Sequence, residues 1–212
     1  MDFDLSLYLV TDSRGFNEQE FLERIDAAIC GGVTMVQLRE KERDSRALYD
    51  LAVKVLDICR NRHVPLLIDD RADIALAAGA DGVHAGASDL PVDVLRNILG
   101  EKMIIGATAK TVEWALREQR LGADYLGVGA VYPTKTKTDA AGIEMTEFRR
   151  ICDNTDIPVT AIGGLNYDNI DILRGSGADG IAAVSAIMKS EDPQKAARLL
   201  RSKIKYILEE KQ

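Results

Sequence analysis

Short runs of β-branched or apolar residues alternate with longer amphipathic segments along the whole chain, the pattern of repeated βα units around a parallel sheet. Apolar runs bounded by turn residues predict strands at 7–10, 33–38, 65–68, 82–84, 103–106, 125–129, 159–162 and 181–184. Between them a period near 3.6 predicts helices at 17–30, 45–62, 71–78, 91–99, 112–121, 145–152, 167–174 and 193–209. The last has the fullest signature: Asp192 as cap, Pro193 in the first turn, and Ala196, Leu200, Ile204 and Leu208 along one face. It reads as a closing helix.

A weak repeat supports a count of eight units. Gly31-Gly-Val33, Gly79-Ala-Asp-Gly82, Gly122-Ala-Asp-Tyr125 and Gly177-Ala-Asp-Gly180 each stand just before an even-numbered strand, where the glycine stops a helix and the chain re-enters the sheet. Four recurrences over eight strands suit an α/β fold of the closed (β/α)₈ TIM-barrel type better than an open doubly wound sheet. No Gly-x-Gly-x-x-Gly follows the first strand, so nothing supports a dinucleotide site.

Length and charge narrow the picture. A chain of 212 residues is expected to form one barrel domain over 1–212 with a substantial core. A formal net charge of −7 argues against a nucleic-acid surface and requires any anion site to be a local cluster. The partners expected are therefore small molecules. No apolar stretch approaches a membrane span and the acidic start does not resemble a signal peptide, so a cytoplasmic protein is expected. Cys30, Cys59 and Cys152 lie far apart in predicted helices, without metal spacing, and read as buried reduced thiols. Whether the chain is a monomer or a homo-oligomer is left open.

In the second strand segment, Gln37, Arg39 and Lys41 stand at alternate positions, so a strand through them projects all three to one side. The face that starts with Val33 and Met35 turns into a row of donors with a reach of roughly 13 Å, enough to follow an extended anion. In a barrel the site lies where strands end, and polar residues gather there. Asp69 and Asp70 follow strand 3, Asp89 follows strand 4, and Thr108 follows strand 5. Thr134-Lys135-Thr136-Lys137 follows strand 6, Gly163-Gly164 strand 7, and Ser185 strand 8.

Asp70 and Asp89 follow neighbouring strands and two carboxylates there suit a hard cation such as Mg²⁺; either residue equally suits a helix cap. Hydroxyls interleaved with lysines in the strand 6 loop offer donors to phosphate, as any solvated loop of that composition does. Gly163-Gly164 reads as an exposed backbone N–H pair or as a tight turn. His84 has no serine or cysteine nucleophile to serve and reads as a packed or orienting histidine. His63 fits a helix C-terminus; Trp114 and Tyr206 fit helix faces covering the barrel.

The blocks Gln37-Leu-Arg-x-Lys41, Asp69-Asp70-Arg71, Ala80-Asp-Gly-Val-His84-x-Gly86, Asp89-Leu-Pro91, Gly129-x-Val-x-Pro-Thr-x-Thr-Lys137, Ile162-Gly-Gly164 and Val184-Ser185-Ala186 together resemble the thiamine-phosphate synthase family from Leu7 to about Ile187. The resemblance implies a (β/α)₈ transferase that joins hydroxymethylpyrimidine diphosphate to thiazole phosphate, releasing diphosphate. It implies that Gln37, Leu38, Arg39, Glu40, Lys41, Asp69, Thr108 and Lys137 face the pyrimidine diphosphate, with Arg39, Lys41, Thr108 and Lys137 catalytic. Thr134, Lys135, Thr136, Gly164, Val184 and Ser185 would hold the thiazole phosphate, and Asp70 and Asp89 would hold Mg²⁺. Ionisation of the pyrimidine carbon before attack by the thiazole nitrogen needs cations on the leaving group and no protein nucleophile.

Three positions depart from the family pattern: Asp69 where Asn is usual, Ala87 where Gln is usual, and Thr108 where Ser is usual. Thr keeps the hydroxyl. Asp69 adds about 3 kcal/mol of repulsion per charge pair at 5 Å and an effective dielectric of 20. Two other readings share the barrel. A thiazole tautomerase would have histidine where Ala130 stands, and a non-catalytic phosphate-ligand sensor would have no need of Arg39, Lys41, Asp70, Asp89 and Lys137 together.

Overall fold

The computed structural model describes residues 3–134 and 142–209. Eight strands run in parallel: β1 Leu7–Val10, β2 Met35–Leu38, β3 Leu66–Asp69, β4 Gly82–Ala85, β5 Ile104–Ala109, β6 Tyr125–Gly129, β7 Val159–Ile162 and β8 Gly180–Ala183. Each is hydrogen-bonded to the next and β8 to β1, closing the barrel in chain order. Around it lie α1 Glu18–Cys30, α2 Ser45–Asn61, α3 Ala72–Ala78, α4 Val92–Leu99, α5 Val112–Leu121, α6 Met145–Asn154, α7 Ser185–Met188 and α8 Pro193–Glu209. Side chains of Asn17, Asp44, Thr111 and Asp192 cap α1, α2, α5 and α8 by accepting backbone N–H bonds. The last helix does close the molecule, packing on α1 and α7.

The repeat has a structural reason beyond stopping helices. The Asp81 carboxylate accepts from Leu66 N at 2.8 Å while Asp81 N donates to Leu66 O at 2.9 Å. Asp124 makes the same reciprocal pair with Ile105, and Asp179 with Val159. In the first repeat, Thr34 takes the part of the aspartate, its hydroxyl accepting from Leu7 N and its N–H donating to Leu7 O. Each clamp ties the entry of an even strand to the odd strand before it, satisfying a backbone donor at the closed end of the barrel. A charge-assisted bond of this kind contributes about 1.5–3 kcal/mol.

Alternation along the strands separates two apolar shells. Leu7, Leu9, Val36, Leu38, Leu66 and Ile68 point outward to the helices. Tyr8, Val10, Met35, Leu67, Ile104, Tyr125 and Ala182 fill the interior, with Leu5 and Phe3 packed beneath them. The interior is thus packed at one end and left to polar side chains at the other.

Some boundaries differ from expectation. Strand β2 starts at Met35, and Val33 belongs to the outer shell, because the Gly31-Gly32 turn still occupies the chain there and strand alternation has not begun. Strand β5 runs on to Ala109, which brings Thr108 inside the sheet. The helix expected over 167–174 is a 3₁₀ turn at Ile170–Leu173. Asn166 and Asn169 explain it: their side chains accept from Asp168 N and Asn166 N, and Asn169 Nδ2 donates to Gly164 O, diverting the groups an α-helix would use. Ile170 and Leu173 stay buried, since i and i+3 eclipse in a 3₁₀ turn. Only Cys59 is fully buried; Cys152 is half-buried, and Cys30, the last residue of α1, is exposed, so buried thiols hold for one cysteine of three.

Candidate active site

The C-terminal ends of the strands surround a cavity of about 1090 Å³, its open mouth included. On one side stand Gln37, Arg39 and Lys41, as the alternation requires, with Asp69 and Asp70 of the neighbouring β3 end. Lys41 Nζ lies 3.0 Å from Asp69 Oδ2 and forms a close hydrogen-bonded ion pair with Asp70. Arg39 Nε lies 3.6 Å from the same Asp69 oxygen, and its backbone N–H donates to the Thr11 hydroxyl at 3.0 Å. That Asp69 oxygen is buried and, among the described residues, accepts no hydrogen bond of good geometry and is balanced by Lys41 and Arg39. Two cations facing two carboxylates at the rim give a site that is charged in both signs.

Neither metal candidate is a helix cap. Helix α3 is entered through Arg71 and α4 through Pro91, and neither N-terminus receives a side-chain cap bond. Asp70 has φ of +61°, a left-handed conformation that asparagine and aspartate tolerate best, and its N–H donates to His84 O at 2.8 Å. Asp89 Oδ2 accepts from Gly86 N at 2.7 Å, fixing the loop after β4; Gly86 lines the cavity, and Asp89 stands behind it. Among the described residues no three acidic, histidine or cysteine side chains converge on one point. Of the two metal candidates, Asp70 lines the cavity and Asp89 does not.

Thr134, Gly164, Val184 and Ser185 line the cavity on the opposite side, with Thr108 on the wall between. Gly163 and Gly164 have φ of +105° and +62°, and a Cβ on them would meet Ala130 Cβ at 2.4 Å and Tyr132 Cβ at 2.7 Å. The pair is glycine because the β6 loop lies directly against it. Leu38 turns outward into the shell under the helices, and Glu40 accepts from Ser13 Oγ at 2.6 Å and Arg43 Nε at 3.2 Å, so neither side chain lines the cavity. Lys135, Thr136 and Lys137 lie outside the described residues.

Several lining residues escape sequence reasoning. Tyr8 and His84 meet the cavity from β1 and β4, and Lys110 from the end of β5. The Thr160 hydroxyl is buried on its wall and has no hydrogen-bond partner among the described residues. Alternation on β7 placed Thr160 and Ile162 inward, a signal available in the sequence. His84, expected as a packed or orienting histidine, is part-buried, with Nδ1 2.9 Å from Tyr125 Oη and Nε2 3.2 Å from Thr108 Oγ1.

The closed eight-stranded parallel barrel, with Arg39, Lys41, Asp69 and Asp70 gathered at the C-terminal ends of its strands, is of the (β/α)₈ class. The family model described as thiamine monophosphate synthase matches residues 7–187. The thiamine-phosphate synthase of Methanobrevibacter smithii is 47% identical over 204 residues, 96% of this chain and 97% of that protein. That of Alkaliphilus oremlandii is 46% identical over 202 residues, 95% and 97% of the two chains. The solved thiamine phosphate pyrophosphorylase from Pyrococcus furiosus superposes with a TM-score of 0.88 at 39% identity, covering 96% of this chain and 97% of that one. The chain belongs to the thiamine-phosphate synthase family, whose members are transferases. No helix among the described residues is long and apolar enough to cross a membrane.

Proposed function

We propose that this barrel joins hydroxymethylpyrimidine diphosphate to thiazole phosphate, with the pyrimidine and its diphosphate on the β2–β3 side and the thiazole phosphate on the β7–β8 side. The observation that carries the reading is the donor row Gln37, Arg39 and Lys41 set against Asp69 and Asp70 on a single wall of the cavity. Gln37 lies deepest, among buried groups, and reads the ring; Arg39 and Lys41 lie higher and hold the diphosphate. As the bond from the pyrimidine carbon to the diphosphate oxygen breaks, negative charge grows on the leaving group where these cations already stand, and Thr108 adds a hydroxyl donor. Lys137 would join them by its motif.

Asp70 and Asp89 are the residues that would hold Mg²⁺, Asp70 from the cavity wall and Asp89 from behind Gly86, and the Asp69 carboxylate adds negative charge to this wall. When bound, the ion would neutralise diphosphate charge that Arg39 and Lys41 alone do not cover. On the far wall Thr134, Gly164, Val184 and Ser185 hold the thiazole phosphate so that the ring nitrogen faces the electron-poor carbon. That step needs positioning rather than a protein nucleophile. The test is product analysis by mass after mixing both substrates with Mg²⁺. Thiamine phosphate formed in step with diphosphate is the expected result; an isomerised thiazole formed from one substrate alone would contradict it.

A further inference from the structure

Five side chains from five strands form an unbroken hydrogen-bonded file through the barrel interior. Gln37 Nε2 donates to Tyr8 Oη at 2.7 Å, and Tyr8 Oη meets Tyr125 Oη at 2.9 Å. Tyr125 Oη then meets His84 Nδ1 at 2.9 Å, and His84 Nε2 meets Thr108 Oγ1 at 3.2 Å. Gln37, Tyr8 and Tyr125 are buried, and burial pushes both phenols well above their ordinary value, so both keep their protons.

Each phenol has one hydrogen and the neutral imidazole has one, so where all three hydrogens are used within the file, the bonds run in the same sense. In one sense Gln37 donates to Tyr8, Tyr8 to Tyr125, Tyr125 to the bare Nδ1 of His84, and the Nε2–H of His84 to Thr108. Thr108 then keeps its hydrogen for a ligand, and Gln37 shows its remaining N–H beside its carbonyl oxygen. In the opposite sense Thr108 gives its only hydrogen to His84 and turns lone pairs to the cavity, while Gln37 shows two N–H groups. Arg39 and Lys41 make the ligand at this rim an anion, and a threonine offering only lone pairs to an anion would repel it.

We propose that Tyr8, Tyr125 and His84 are positioning residues that lock the file in the Gln37-to-Thr108 sense. One end then offers an adjacent donor and acceptor, the complement of an amino group beside a ring nitrogen, and the other end offers a hydroxyl donor to the diphosphate. The identity of the ligand rests on the function proposed above; the sense of the file does not.

The test uses the whole protein labelled with ¹⁵N-histidine. The chain has two histidines, and His63→Asn, at an exposed left-handed position that asparagine accepts, assigns the other set of signals. His84 with a protonated Nε2 and a bare Nδ1 is expected; a protonated Nδ1, or an even mixture of the two forms, overturns the proposal. Tyr125→Phe is expected to mix the two forms. It is also expected to cut kcat/KM for the aminopyrimidine diphosphate at least tenfold and to shrink the preference for it over the 4-oxo analogue by a similar factor. KM for thiazole phosphate should hold. An unchanged preference overturns the proposal, and Tyr8→Phe, which breaks the file one bond earlier, supplies the same readout should Tyr125→Phe fail to fold. If the parent protein releases no diphosphate, the function falls and the histidine signals alone decide the file.

Discussion

Gly106 of β5 stands in register with Tyr125 of β6, and a Cβ added at Gly106 would lie 2.1 Å from Tyr125 Cζ and 2.2 Å from its hydroxyl oxygen. The missing side chain of one strand is the space that the phenol of the next occupies. Gly106→Ala is expected to push the ring out of line with Tyr8 and His84 and to cost about 3 kcal/mol, the upper range for overpacking. For a chain of this size that is roughly 6–12 °C in Tm. Calorimetry checks it, and Gly106→Ala combined with Tyr125→Leu should regain part of the loss; additive losses would mean that the two residues do not share this space.

Arg39→Ala and Lys137→Ala should lower turnover at least a hundredfold, about 2.7 kcal/mol of leaving-group stabilisation, while leaving thiazole phosphate affinity within twofold. Steady-state kinetics and direct titration of thiazole phosphate measure the two effects separately. Equal loss on both would remove these cations from the diphosphate.

Asp69 places a carboxylate with one buried oxygen 3.0 Å from Lys41 Nζ and 3.6 Å from Arg39 Nε. Asp69→Asn removes repulsion bounded at about 3 kcal/mol per charge pair and frees both cations for the diphosphate. The expected outcome is a KM for pyrimidine diphosphate lowered about tenfold and activity that half-saturates at lower Mg²⁺. A higher Mg²⁺ requirement would instead make Asp69 a metal ligand.

Burial pushes the Cys59 thiol up to about 12, whereas Cys30 is exposed. Alkylation at neutral pH should label Cys30 in the folded protein and spare Cys59 until denaturant is added. Peptide mapping by mass reads both sites. Labelling of Cys59 at the rate of Cys30 would contradict the packing of α2 on the barrel.

Which parts of the site could be read beforehand follows from the range of the interactions. Gln37, Arg39 and Lys41 were legible because a strand's period of two is local, and the same rule places Thr160 inward without any knowledge of its neighbours. The Gly-Ala-Asp repeat marked strand entries, yet the bond that Leu66 N donates to the Asp81 carboxylate joins β3 to the residue before β4 and has no local signature. Tyr8 and Tyr125 were ordinary apolar-run aromatics in the sequence. Their contact lies across the barrel, 117 residues apart in the chain, so their role could not be read from either segment. The 3₁₀ turn at Ile170–Leu173 was misread as a helix because its buried spacing of three satisfies a helical period, while the competing Asn166 and Asn169 bonds are invisible to periodicity.

In the proposed reaction, charge at the β2–β3 rim carries diphosphate away from the pyrimidine while the second substrate waits on the far wall. Diphosphate release from the purified protein, measured with each substrate omitted in turn and with Mg²⁺ present or chelated, tests it most directly. Sustained release that requires pyrimidine diphosphate, thiazole phosphate and Mg²⁺ together is the result predicted. Undiminished release with the metal chelated, or none with all three present, would contradict it.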